Sequence, residues 1–235
     1  EIAQCLVGSE MCIRDRYINN EHELAIDERK VHMEENMIIT ISRQYGSGGS
    51  QVAKILAERM GVWCYDRDIL TIAAERIGNE ELTEDTINDL NYKRNDVASA
   101  GITGVMGMGN IPIYNQMFLE QAKIIRKLAN YGSAVFLGRC ADYILKDIKN
   151  CTSVYLYADR EFRKNRVKEI YGSNAEIMDK EEKNRADYYN YYTGNRWGDI
   201  NNYDFAINTS KVSFEEAADL IYRFAKDKQK NLKDR

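Results

Sequence analysis

Apolar and polar residues along this chain fall into blocks that alternate between two periods, and the alternation predicts a repeated strand-then-helix order. Residues 37–43, MIITISR, form a short apolar run carrying Ile38, Ile39 and Ile41, which predicts a buried strand of a parallel sheet. Val52, Ile55, Leu56 and Met60 then recur at spacings of three and four, the stripe of an amphipathic helix. Trp63 to Tyr65 predicts a second, short strand, and residues 66–78, DRDILTIAAERIG, a helix with Ile69, Ile72, Ala73 and Ile77 on one face. A polar helix is expected over 80–98 with Thr83 as its cap. After it, GITGVMGMGNIPIYN, with four glycines and the only proline, predicts a mobile loop. A helix over 115–131 should turn Phe118, Ala122, Ile125 and Leu128 inward. Further strands are predicted at 133–137, 151–157 and 204–208. FEEAADLIYRFAKDK closes the pattern as a helix with Phe214, Ala218, Ile221 and Phe224 inward. There is no internal repeat, and the alternation as a whole predicts an α/β fold.

The joint between the first strand and the first helix carries the chemistry. Gly46, Gly48 and Gly49 allow positive φ and let backbone N–H groups approach an anion, which would face the positive end of the following helix. Ser50 is expected to cap that helix. The pattern G-x-x-x-x-G-K-[ST] is matched only at Gly48 and Ser50; Arg43 stands where it has a glycine and Gly49 where it has its lysine. Without that ammonium another cation must supply the charge on the donor phosphates, and Arg43, at the strand end, is the nearest. An ordinary glycine-rich strand-to-helix turn with an arginine on its rim would read the same way.

Composition narrows the class. The chain has 235 residues, enough for one large domain or a core with a small insertion. A net charge of −4 argues against broad nucleic-acid binding. The five cysteines, at 5, 12, 64, 140 and 151, show no C-x-x-C and no metal spacing, and read as reduced thiols. No run reaches the length of a membrane span, so a cytoplasmic protein is expected. Residues 1–36 hold nine acidic against four basic residues and lack sustained periodicity. The stretch VGSEMCIRDR within them resembles a peptide produced when sequencing-adaptor DNA is translated, and Met37 is the expected natural start. A charged helical extension is the other reading. His22 and His32, the chain's only histidines, are given no catalytic role.

In open parallel sheets ligands bind at the carboxyl ends of the strands. The polar residues expected there are Arg43 with the glycine loop, Asp66 and Arg67 after the second strand, Arg139 and Asp142 after the third, and Asp159 and Arg160 after the fourth. Arginines and carboxylates converging beside such a loop suit a phosphoryl donor and a phosphorylated acceptor.

The segments ISRQYGSGG, YDRDIL, LGRCADYIL, VYLYADREFRKNRV, KNRADYYNYYTGNRWG and AINTSKVSFEEA, in this order, resemble the cytidylate-kinase-like family, a branch of the P-loop nucleoside monophosphate kinases, over residues 37–228. The resemblance implies a three-layer α/β fold, a five-stranded parallel sheet flanked by helices, over about 37–230. It also implies a substrate-binding helical insertion over about 79–132 and a lid over about 171–200. It carries over unevenly. After the second strand the family has L-D-S-G-x-x-Y-R; Asp66 keeps the aspartate and Ile72 takes the arginine's place. The G-R-D motif corresponds to Gly138-Arg139-Cys140, so the arginine is kept and the aspartate is not, with Asp142 one turn behind. The lid pattern R-D-R-x-R-A corresponds to residues 181–186, with Lys183 and Arg185 kept as cations. The phosphate-binding cations are better preserved than the base-reading groups.

The implied activity is phosphoryl transfer from ATP, with Mg²⁺, to a nucleoside monophosphate of the CMP or dCMP kind. Arg43, Gly46, Ser47, Gly48, Gly49 and Ser50 are expected on the donor phosphates, with Ser50 on Mg²⁺ directly or through water. Asp66, Arg67, Arg139 and Asp142 are expected on the acceptor, and Arg139, Arg163, Lys183 and Arg185 around the transferring group. Arg163 and Arg166, three apart on a helix, read equally as solvated surface. The run YYNYYTGNRW is expected to form a lid or an interface, in a monomer or a homodimer. A nucleotide-binding module that has lost catalysis and a kinase for a non-nucleotide small molecule are the alternatives.

Overall fold

A computed structural model describes residues 36–78, 113–172 and 175–234, and the architecture below is that of these residues. The predicted helix at 80–98, the glycine-rich stretch up to residue 112 and the first 35 residues lie outside them. Five strands, β1 Ile38–Arg43, β2 Trp63–Tyr65, β3 Ala134–Leu137, β4 Cys151–Tyr157 and β5 Phe205–Asn208, form one parallel sheet in the order β2-β3-β1-β4-β5. β1 is the centre, with Ile38 in register with Ala134 on one side and Cys151 on the other. The chain runs outward from β1 on one side and returns to fill the other, so the order reverses at β1, where such sheets form a crevice.

The helices are α1 Gly49–Met60, α2 Asp68–Ile77, α3 Ile113–Tyr131, α4 Ala141–Ile144, α5 Arg160–Tyr171, α6 Ala175–Thr193 and α7 Phe214–Lys233. Alternate strand residues Ile39, Ile41, Val135, Leu137, Val154, Leu156 and Ile207 pack with Val52, Leu56, Ala218 and Ile221 of α1 and α7 into one core. Ile38, Thr40 and Ser42 point to the other face, where the Ser42 hydroxyl meets Asp142 of α4. With both faces covered all six residues of β1 are buried, which is why this strand reads as a continuous apolar run.

Several boundaries differ from the sequence reading, among them two helix starts. Gly48, at φ 82°, is the N-cap and starts α1 two residues early, so Ser50 lies inside the first turn and caps nothing. Residues 113–115, expected in the loop, are the start of α3, because Ile113 is buried there. In α7 the capping box Ser213–Glu216 fixes the start of the helix.

Candidate active site at the strand ends

The loop after β1 is fastened on three sides. The Gln44 N–H continues the ladder to the Leu156 carbonyl at 2.9 Å, and the Gln44 side-chain oxygen accepts from the Ala158 N–H at 3.1 Å. The Ser47 hydroxyl donates back to the Gln44 carbonyl at 2.9 Å. The buried Thr209, just past β5, donates to the Ser47 carbonyl at 2.7 Å. Gly46 (φ 80°) and Gly48 need the left-handed region. A Cβ at 46 would lie 2.9 Å from Val167 of α5, and one at 48 would overlap the Phe214 ring of α7. The loop is a bare strip of backbone ending at the amino end of α1, the arrangement that holds anions.

The turn after β3 is built otherwise. The Gly138 N–H donates to the Ile41 carbonyl at 2.9 Å, and Gly138, Arg139 and Cys140 are all left-handed, with φ of 76°, 61° and 55°. This sends Arg139 inward, where it is 2% exposed and the bulkiest of the fully buried side chains described. Arg139, Arg43 and Arg185 line one cavity of about 20 Å³, walled also by Ser42, Tyr188 and Tyr189. That is room for a water and not for a phosphate. Asp142 accepts from the Tyr189 hydroxyl at 2.7 Å and the Ser42 hydroxyl at 3.4 Å. Burial pushes its carboxyl above the usual aspartate range, opposed by those hydrogen bonds.

α6 lies along the loop. Its Glu182 accepts from the Tyr45 N–H at 2.7 Å and pairs with Arg163 of α5 at 3.4 Å. Arg163, 8% exposed, also donates to the Tyr45 carbonyl at 3.3 Å and the Ala158 carbonyl at 3.2 Å. Arg185 donates to the Arg43 carbonyl at 3.1 Å and lies over the Tyr45 ring. A carboxylate of α6 thus occupies a loop amide, flanked by two arginines. Burial pushes Glu182 up as well, opposed by the Tyr45 amide and Arg163. Over β4 and β5, on the Glu182 side of α6, is a larger cavity of about 660 Å³ lined by Tyr155, Tyr157, Trp197 and Ile200. Trp197 borders both cavities.

Arg43, Arg139 and Arg185 therefore converge on one cavity, and Arg163, buried against the Tyr45 carbonyl and Glu182, is no solvated surface residue. Lys183 does not: it is 76% exposed and paired with Asp187 one turn on, because α6 turns Glu182 and Arg185 toward the loop. Arg67 is exposed at the start of α2. Asp66 faces Arg43, at 3.6 Å. Asp159 and Arg160 are exposed and pair with Lys211 and Asp179. Ser50 is exposed in the first turn of α1. The aromatic run is mainly local packing: Tyr188 and Tyr189 are buried, Tyr192 stacks on Phe118 of α3, and Trp197 sets its edge against Tyr155. Tyr45, Glu182 and Thr209 were not singled out by sequence, although Glu182 lies within the lid pattern and Thr209 within AINTSKVSFEEA.

The cytidylate kinase-like family's profile matches residues 38–211, the span that contains every element of this site. The chain belongs to that family. Among solved structures, an uncharacterized protein from Eubacterium ventriosum is 30% identical, with 81% of this chain and 98% of that one covered and a TM-score of 0.60. The protein TT1252 from Thermus thermophilus, 16% identical over 81% of this chain and 97% of its own, gives 0.54 and shares the fold. A shikimate kinase from Acinetobacter baumannii, crystallised with shikimate, is 16% identical over 84% and 96% and gives 0.48. No curated protein matches the chain. Membership in this family and the sheet order place the chain among kinase-like folds of the P-loop type.

Proposed function

We propose that the protein transfers the γ-phosphoryl group of ATP to a nucleoside monophosphate of the CMP or dCMP kind. The observation that carries the reading is the convergence of Arg43, Arg139 and Arg185 on one cavity beside a glycine loop at the switch point of the sheet. Cations on both sides of a transferring phosphoryl group are what such chemistry needs, since its catalysis is positioning and charge neutralisation. The loop amides of Gly46–Ser50 cradle the donor phosphates, Arg43 meets them from the strand end, and Arg139 grips the acceptor phosphate from the opposite side. Arg185 and Arg163 close from above, after Glu182 leaves the Tyr45 amide. The acceptor phosphate is already nucleophilic, so no general base is required. Ser50, a hard oxygen ligand exposed in the first turn of α1, would hold a Mg²⁺, which would supply charge neutralisation at the donor.

A non-nucleotide acceptor is the second reading. It is favoured by Asp142, which stands two residues after Cys140, where the motif has its aspartate, and faces Tyr189 and Ser42. Coupled ATP turnover by the full chain with Mg²⁺ against CMP, dCMP, UMP, AMP and GMP tests both. Acceptor-dependent ADP release that Arg139→Ala abolishes supports the first. Silence across the panel, with ATP still binding by calorimetry, favours a non-nucleotide acceptor or a binding module without catalysis.

A further inference from the structure

A lysine at position 49 and any side chain at position 43 exclude each other. A Cβ built on Gly49 would lie 2.8 Å from the Cβ of Arg43 and 2.5 Å from its Cγ, closer than Cβ atoms approach in real structures. The Cγ contact depends on a rotamer. The Cβ contact does not, because a Cβ is fixed by its own backbone. No change of side-chain conformation at 43 therefore opens position 49, and only glycine at 43 would. The loop accepts either glycine at 43 with lysine at 49 or arginine at 43 with glycine at 49. The two departures from the usual loop pattern are therefore sterically coupled.

We infer that Arg43 takes over the lysine's work on the donor phosphates and that Asp66 positions its guanidinium. Arg43 is 7% exposed, has its stem laid across Gly49, and has its guanidinium 3.6 Å from the Asp66 carboxylate beyond β2. A lysine on the helix would reach the phosphates on a flexible stem. An arginine anchored at the strand end arrives as a planar fork whose direction is set from its far side by a carboxylate. Asp66, expected on the acceptor, thereby becomes a positioning residue that acts on the donor through Arg43. The cation part of this inference rests on the phosphoryl-transfer reading; the steric part does not.

The test is a double-mutant cycle on the full chain, read by chemical unfolding and by calorimetric binding of Mg²⁺-tripolyphosphate. Gly49→Lys alone should shift the unfolding midpoint down clearly, and Arg43→Gly with Gly49→Lys should recover most of that loss. Gly49→Lys as stable as the parent, or a pair no better than the sum of its singles, overturns the steric exclusion. Arg43→Met, which keeps the stem and drops the charge, should weaken tripolyphosphate at least tenfold, and the exchanged pair should bind within a few-fold of the parent. Asp66→Asn should raise the donor's Kd and KM several-fold, leave the acceptor's KM in place, and have no further effect in the Arg43→Met background. Equal effects of Asp66→Asn with and without Arg43 overturn the positioning role. Should the parent bind tripolyphosphate and Arg43→Met bind it equally well, the inference falls and the kinase reading stands; a parent that binds none removes both.

Discussion

The turns that leave β1 and β3 face the same cavity from neighbouring strands, and they reach left-handed backbone by opposite means. After β1 the positive-φ positions are Gly46 and Gly48, where the conformation is free of strain. After β3 a single glycine is followed by Arg139 and Cys140, residues for which that region costs on the order of 1 kcal/mol each. One turn presents backbone and excludes side chains; the other tolerates strain in order to aim one side chain into the interior. The difference matches the roles proposed for them: amides that would surround a chain of phosphates, and a guanidinium set at one point. Strain of this kind persists where surrounding structure holds it, and the Gly138 amide on Ile41 and the buried Cys140 are part of that hold.

Four experiments bear on this contrast. The largest effect is expected from Arg139→Ala, which should lower acceptor-dependent turnover by roughly 10²–10³-fold, the scale for losing one oriented charge-stabilising donor. Arg139→Lys should restore little of it, since an ammonium lacks the planar fork; steady-state kinetics with varied acceptor decides. Next, Gly48→Ala should cost roughly 2–4 kcal/mol in urea unfolding, combining left-handed strain with overpacking against Phe214. An alanine there that unfolds like the parent would remove the premise that the first turn must be bare.

The third concerns Asp142, whose carboxyl burial raises. A raised folded-state value means that its contribution is fully present below the ordinary value of 3.8 and is lost as pH rises through the higher folded value. Asp142→Asn keeps an acceptor for Tyr189 without the buried charge. Its stability relative to the parent should therefore be least favourable at pH 3 and should improve as pH rises through the weakly acid range. Urea midpoints across pH would show it, and a flat difference would mean that the carboxylate is not penalised. The smallest effect is a comparison within one position: Arg139→Gly should be more stable than Arg139→Ala by about 0.5–1 kcal/mol, with turnover lowered in both, because glycine relieves the left-handed strain.

The strands were legible because parallel strands buried on both faces leave continuous apolar runs, and β1, β3, β4 and β5 fall within a residue of where those runs predict them. Arg43, Arg139 and Arg185 were legible because each sits in a motif tied to a strand end or to the lid pattern. What could not be read were contacts across long stretches of chain. Glu182 meets the Tyr45 amide across 137 residues, and an acidic side chain in a charged helix carries no local mark of such a partner. Lys183 was misplaced for the complementary reason: one residue along α6 turns a side chain by about 100°, from the loop to solvent. The stacking of Tyr192 on Phe118 carries no local mark either, because Phe118 lies on a separate helix. Ser is a common cap, but at the head of α1 the left-handed backbone of Gly48 decides otherwise.

The central place of β1 bears on the order in which the molecule comes apart. Its amides and carbonyls are shared with strands on both sides and its six residues are all buried, so its hydrogens should be among the last to exchange with deuterated solvent. Brief openings at the sheet edges, β2 and β5, leave the ladder from which both turns spring in place. Most fluctuations of the folded chain should therefore spare the floor of the site.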